Sequence, residues 1–205
     1  AKAGRYHHLK LFNDFARPRL SEIAKLARLG LPVAGLLILE SGFFNAIALM
    51  MGSLGQIALA AHNVVMNYVT LIFMVPVGLA NALMVRVGQA MGESGVAEAR
   101  FRGLVGIGVA SGAMAISALV IVMFPKAIIG LYTADLAVAA TASVLLVCAA
   151  LFQLSDGIQI TSAGALRGLQ DTTVPMFISG GAYWLVGVPT SWWLGIYLER
   201  GPFGL

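Results

Sequence analysis

The sequence has little charge, because Asp, Glu, Lys and Arg together make up only 11% of its 205 residues. Soluble globular domains carry about 25% charged residues, so this shortage excludes an ordinary soluble domain. Hydrophobic residues make up 59% of the chain instead. The composition therefore predicts an integral, multi-pass membrane protein that has the lipid bilayer as its main partner.

Cysteine is nearly absent as well, and the single Cys148 excludes an internal disulfide. The apolar segments lack the alternation of apolar and polar residues that a membrane β-barrel requires. Glycine is abundant, with 24 residues, which suits transmembrane helices that pack closely. The predicted fold class is an all-α membrane protein, built as a polytopic helix bundle.

Five long apolar segments predict five transmembrane helices, since a bilayer needs about 20 apolar residues per helix. The predicted spans are 29–52, 57–87, 103–124, 136–165 and 174–198, and residues 29–205 form one bundle. A tight turn at 53–56 separates the first two spans, and a polar loop that opens at 92–95 and ends near Arg102 separates the second span from the third. The preceding residues 1–28 are basic and amphipathic, and they predict a cytoplasmic connector at the membrane surface.

The basic residues are distributed unevenly over the two sides of the predicted bundle. Eleven of the 13 Lys and Arg residues fall on the side of the N-terminus. The positive-inside rule therefore places the N-terminus in the cytoplasm. Nucleic-acid binding is not expected, because membrane topology already explains why these residues lie at span ends.

Two acids, Glu40 and Asp156, lie deep inside predicted spans. A charged side chain near the bilayer centre costs roughly 2.5–3.5 kcal/mol on insertion scales. Acids that persist at such a cost usually bind or move a cation or a proton, and we expect this role for both. The alternative interpretation is that both are protonated and simply bond to neighbouring helices.

Several other polar or aromatic residues lie near these acids on helical spacing. Phe152, Gln153 and Gln159 share a helix face with Asp156, and Asn63 and Asn67 form a polar stripe on the second span. Amides of this kind also serve as links between helices. A bundle that encloses these groups would bind Na⁺ at Glu40 and Asp156, or a proton, and would attract organic cations. No other cofactor is expected.

Short motifs occur in order along nearly the whole chain. They read Leu-Gly-Leu-Pro at 29–32, Phe-Met-Val-Pro at 73–76, Arg-Val-Gly-Gln-Ala-Met-Gly at 86–92, Leu-Tyr-Thr at 131–133, Gly-Ala-Leu-Arg-Gly-Leu-Gln-Asp-Thr at 164–172 and Gly-Val-Pro at 187–189. With Glu40, they resemble the C-terminal lobe of the MATE (multidrug and toxic compound extrusion) family, NorM-type branch.

The resemblance implies helices seven to eleven of a twelve-helix transporter, so the N-terminal lobe and the last helix would be partners outside this chain. It implies a transporter in the bacterial inner membrane, not an enzyme, that exports organic cation drugs in exchange for Na⁺ or H⁺. Glu40 and Asp156 match the family's coupling acids on the seventh and tenth helices. Phe152 stands where some members have tyrosine, which leaves both coupling ions open.

Three alternative functions remain open for this sequence. A lipid-linked saccharide flippase would want basic residues inside its spans, and the predicted spans have none near their centres. An intramembrane aspartyl protease would need two catalytic carboxylates around one water. A structural membrane subunit would tolerate the loss of both acids without any change in transport.

Overall fold

The computed structural model describes residues 19–205, in which all regular elements are helical. The helices are α1 (Leu20–Ser53), α2 (Gln56–Glu93), α3 (Val96–Met123), α4 (Pro125–Gly130), α5 (Leu136–Gly168), α6 (Thr173–Gly181) and α7 (Val188–Trp192). This confirms the predicted all-α class. Residues 1–18 of the predicted connector lie outside the described part of the chain.

Four of these helices, α1, α2, α3 and α5, are long and apolar enough to cross a membrane. Their exposed surface carries large apolar side chains, such as Leu31 and Leu49, which are 70% and 78% exposed. Side chains of this kind are stable where lipid surrounds the helix. The chain is therefore an integral multi-pass membrane protein.

The long helices extend beyond the limits predicted from hydropathy. α1 begins at Leu20, so residues 20–28 of the predicted connector continue into the first span, and Pro32 lies inside the helix. α2 reaches Glu93 and α3 begins at Val96. Hydropathy marks only the apolar part of a helix, whereas the backbone hydrogen bonds continue into the polar flanks. The breaks fall at Gly55 and Gly95, which have φ values of 120° and 85° that disfavour other residues.

The fifth predicted span, 174–198, corresponds to a helical segment that is not uniform. α6 is followed by a π-helical turn (Ala182–Gly187), then α7, then a second π-helical turn (Trp193–Tyr197). Pro189 follows the first π-helical turn and has no N–H to donate to the preceding turn. A local widening of the helix accommodates this missing bond. That these residues cross the membrane stays a prediction.

The helices form two groups. α2, α3 and α5 pack together, and α1 packs mainly against the segment 173–197 and against α2. The two groups share an apolar core near one end of α1, where Ile47 and Met51 meet Val65 of α2 and Leu146 of α5. Away from this core, α1 and α5 face each other across a space, and that space holds the candidate site.

Candidate functional site

Glu40 of α1 and Asp156 of α5 line the same cavity. The cavity has a volume of about 370 Å³. It lies where α1, α2 and α5 approach one another. Its lining comprises Leu37, Glu40, Ser41, Phe44, Asn45, Met66, Val69, Thr70, Phe73 and Asp156. We call this space the acid cavity.

The two carboxylates differ in how far they are covered. Asp156 is only 6% exposed, whereas Glu40 is half-buried. No side-chain oxygen within residues 19–205 is both fully buried and without a hydrogen-bond partner. The Asp156 side chain lines the cavity. Both acids are thus available to a ligand there.

Gln159 lies beside the acid cavity and connects α5 to the segment 173–197. Its Nε2 donates to Ser179 Oγ at 3.1 Å and to the Tyr183 hydroxyl at 2.9 Å. Tyr183 is buried, with only 6% of its surface exposed. Its ring stacks on Phe43, with ring centroids 5.0 Å apart. Gln159, a predicted site residue, therefore links α5 to α6 and to the first π-helical turn, and it lies three residues after Asp156.

The other predicted site residues lie outside the acid cavity. Asn63 and Asn67 are exposed on α2, and Asn67 Nδ2 donates to the Asn63 carbonyl of the same helix at 2.8 Å. Gln153 points to α3, where Nε2 lies 3.4 Å from the Met114 carbonyl oxygen. Phe152 borders the site, because its ring makes an edge contact with Phe44 at 6.3 Å. A role for these four residues in a substrate or cation cavity stays a prediction.

Sequence reasoning missed Tyr183, Thr70 and Ser41. A signal for Tyr183 exists, because Ser179 and Tyr183 are four residues apart on one face of an otherwise apolar segment. Thr70 and Ser41 have no such signal, since isolated hydroxyls in membrane helices commonly bond to their own backbone. Their place in the cavity depends on how α1 and α2 pack.

The acid cavity is suited to a small cation. Carboxylates and hydroxyls are the oxygen ligands that hard cations such as Na⁺ prefer, and Glu40, Asp156 and Thr70 supply them. Two ionised carboxylates on one cavity repel each other, so a bound cation or proton relieves that repulsion. Phe44 and Phe73 add aromatic faces that attract organic cations.

The sequence matches one family model and several multidrug resistance proteins. The MatE family model matches residues 32–193. The chain is 46% identical over its whole length to the "Probable multidrug resistance protein NorM" of Xanthomonas axonopodis pv. citri. It is 40% identical to the multidrug resistance protein NorM of Burkholderia vietnamiensis, with 98% of the chain covered, and 40% identical over its whole length to the multidrug resistance protein PmpM of Pseudomonas aeruginosa. The chain spans 44% of the length of each of these relatives.

Proposed function

The chain belongs to the MatE family, and we propose that the complete protein is a secondary transporter that exports organic cations in exchange for Na⁺ or H⁺. One observation carries the proposal: Glu40 and Asp156, far apart in sequence, line one cavity between membrane helices. The named relatives are multidrug resistance proteins, which supports export of varied drugs. The rest of the transporter supplies the second lobe and the last helix.

The proposed mechanism is alternating access, in which the inward-moving cation and the exported drug use the same negative charge in turn. A cation or proton that enters the acid cavity neutralises Glu40 and Asp156. The organic cation then loses its counter-charge and is released outward. Each charge that crosses about 100 mV yields roughly 2.3 kcal/mol, which is comparable to the 1–3 kcal/mol of typical coupling between sites, roughly 5- to 150-fold in affinity.

We further propose that the complete protein lies in the bacterial inner membrane, with the N-terminal side of α1 in the cytoplasm. The inward cation gradients that drive such exchange exist across that membrane. The excess of Lys and Arg on the N-terminal side of the chain supports the orientation.

The test uses the complete protein in proteoliposomes with a fluorescent organic cation, while Na⁺ and H⁺ gradients are imposed and collapsed separately. We expect one of the two gradients to drive export. Glu40→Gln and Asp156→Asn should each lower driven export by at least about 10-fold, because an intramembrane charge is the coupling group. Glu93→Gln is the matched control, since Glu93 is an exposed acid at the end of α2. Normal driven export by both cavity variants would refute the proposal.

A further inference from the structure

Two adjacent side chains on the π-helical turn Ala182–Gly187 contact two different helices. The Tyr183 hydroxyl lies 2.9 Å from Nε2 and 3.1 Å from Oε1 of Gln159 on α5. The Trp184 indole N–H donates to the Leu39 carbonyl on α1 at 3.0 Å. Consecutive side chains of a helical turn project in different directions, so neighbouring residues can contact two different helices.

These two contacts flank the two acids. Gln159 follows Asp156 by three residues, and Leu39 directly precedes Glu40. The turn 182–187 is thus bonded to α1 beside one carboxylate and to α5 beside the other.

The two contacts are held in different ways. At α1, Gly42 lies under the Trp184 ring, where an added methyl would be 2.9 Å from Cζ2, and Gly187 lies equally close to the ring of Phe43. This close packing fixes the turn to α1. At α5 the connection is polar, through the Gln159 amide to Ser179 and Tyr183. A polar contact is directional and is lost over a small displacement, so the α5 contact is the adjustable one.

We infer that Tyr183 and Trp184 form a clasp that sets the separation of the helices carrying Glu40 and Asp156. Tyr183 and Gln159 are thereby positioning residues for the coupling cation, and this inference rests on the proposed function. A π-helical turn within a helix often marks a functional site, and the two bonded side chains account for this one. An intact clasp holds the carboxylates close enough to share one cation. A broken clasp lets α5 move away from α1 and weakens cation binding without removing either acid.

The test is Tyr183→Phe in the complete protein, which removes the hydroxyl and keeps the ring stacked on Phe43. We expect the cation concentration for half-maximal export to rise by about 3- to 10-fold, as the loss of one hydrogen bond produces. For a proton-driven protein, the same effect appears as a shift in the pH midpoint of export. The maximal rate should stay within about twofold, because both acids remain.

Tyr197→Phe is the matched control, since Tyr197 lies in the same helical segment but is 67% exposed. Trp184→Phe removes the other donor and should act in the same direction as Tyr183→Phe. Gln159→Met removes the bonds to both Ser179 and Tyr183, so adding Tyr183→Phe to it should have little further effect. Should Tyr183→Phe fail to insert, Gln159→Met decides by the same criterion.

An unchanged half-saturation in Tyr183→Phe would overturn the clasp, and so would a lower maximal rate with unchanged half-saturation, which a merely structural residue would show. The acid variants separate a failure of the clasp from a failure of the proposed function. Normal driven export in Glu40→Gln and Asp156→Asn refutes the proposed function itself. Their loss of export, together with a native half-saturation in Tyr183→Phe, refutes the clasp alone.

Discussion

The polar side chains inside this bundle differ in whether their own helix satisfies them. Asn67 donates to the Asn63 carbonyl at 2.8 Å, and Ser111 donates to the Ile107 carbonyl at 2.8 Å, each within one helix. Such residues need no partner elsewhere, because the backbone one turn earlier accepts their bond. Asp156 has no N–H or O–H to donate when it is ionised, and it lines the acid cavity. An oxygen is therefore available to an ion through its place at the cavity, since an amide nitrogen that bonds to the backbone leaves the amide oxygen free.

This difference makes a prediction for two residues of α2. Thr70 lines the acid cavity, whereas Asn67 is exposed outside it. We expect Thr70→Val to raise the cation concentration for half-maximal export by about 2- to 10-fold, because an oxygen ligand is lost. Asn67→Leu should leave that concentration unchanged. Both variants are measured in the complete protein under the same imposed gradient, and a larger effect at Asn67 would contradict the placement.

The sequence alone identifies the two acids as candidate site residues, but it predicts less about which residues surround them. Burial of charge identifies Glu40 and Asp156 without any structure, since the cost applies in any packing. Helical spacing places Gln153 and Gln159 near Asp156, but Gln153 contacts α3 while Gln159 contacts the segment 173–197. Helical spacing predicts which residues share a face of one helix, but not which neighbouring helix packs against that face.

Among the helices, α2 and α5 pack most extensively against each other. A methyl added at Gly164 would lie 2.6 Å from the Ala80 carbonyl oxygen, and one at Gly168 would lie 2.5 Å from the Met84 carbonyl oxygen. Two glycines four residues apart let helix backbones approach closely in membranes, where van der Waals packing drives association. The motif at 164–172 thus has a packing role in addition to its value for recognising the family.

Gly164→Ala tests this role. Overpacking a tight contact costs about 1–3 kcal/mol, so we expect a lower melting temperature for the complete protein in detergent. Gly112→Ala on α3 is the matched control, because nothing lies within 4 Å of an added methyl there. It should be neutral or slightly stabilising, by up to about 1 kcal/mol, since alanine favours the helix. Equal melting temperatures for the two variants would show that α2 and α5 are not in close contact.

Helix ends illustrate what local sequence determines. The predicted turn at 53–56 is found between α1 and α2, where Gly55 has a positive φ. The predicted loop from 92 to about 102 is shorter than expected, because α3 begins at Val96, directly after Gly95 with its positive φ. The irregular course of the segment 173–197 was not predicted. Pro189 indicates a bend, yet whether the helix kinks or widens depends on its contacts with α1 and α5.

At the scale of the whole molecule, α1 and the segment 173–197 form one unit, and α2, α3 and α5 form another. The acid cavity lies between the two units, so its dimensions depend on how they sit together. Small rearrangements between packed helices are the usual means by which ion binding is transmitted over a membrane protein. Hydropathy alone does not predict this division, because every span is similarly apolar and the grouping depends on glycine contacts such as those at Gly42 and Gly187.

The topology of the whole molecule depends on whether the segment 173–197 crosses the bilayer, and cysteine labelling tests this. Single cysteines at Ser94, Ala134, Leu169 and Phe203 are introduced into the complete protein after Cys148→Ala and removal of its other cysteines. Intact cells are then treated with a membrane-impermeant maleimide. If the segment crosses the bilayer and the N-terminal side is cytoplasmic, Ala134→Cys and Phe203→Cys react outside, while Ser94→Cys and Leu169→Cys react only after lysis. All four positions are exposed or at turns between helices. Labelling of Phe203→Cys only after lysis would show that the segment returns to the cytoplasmic side, so that Tyr183 and Trp184 would not lie at the depth of the two acids.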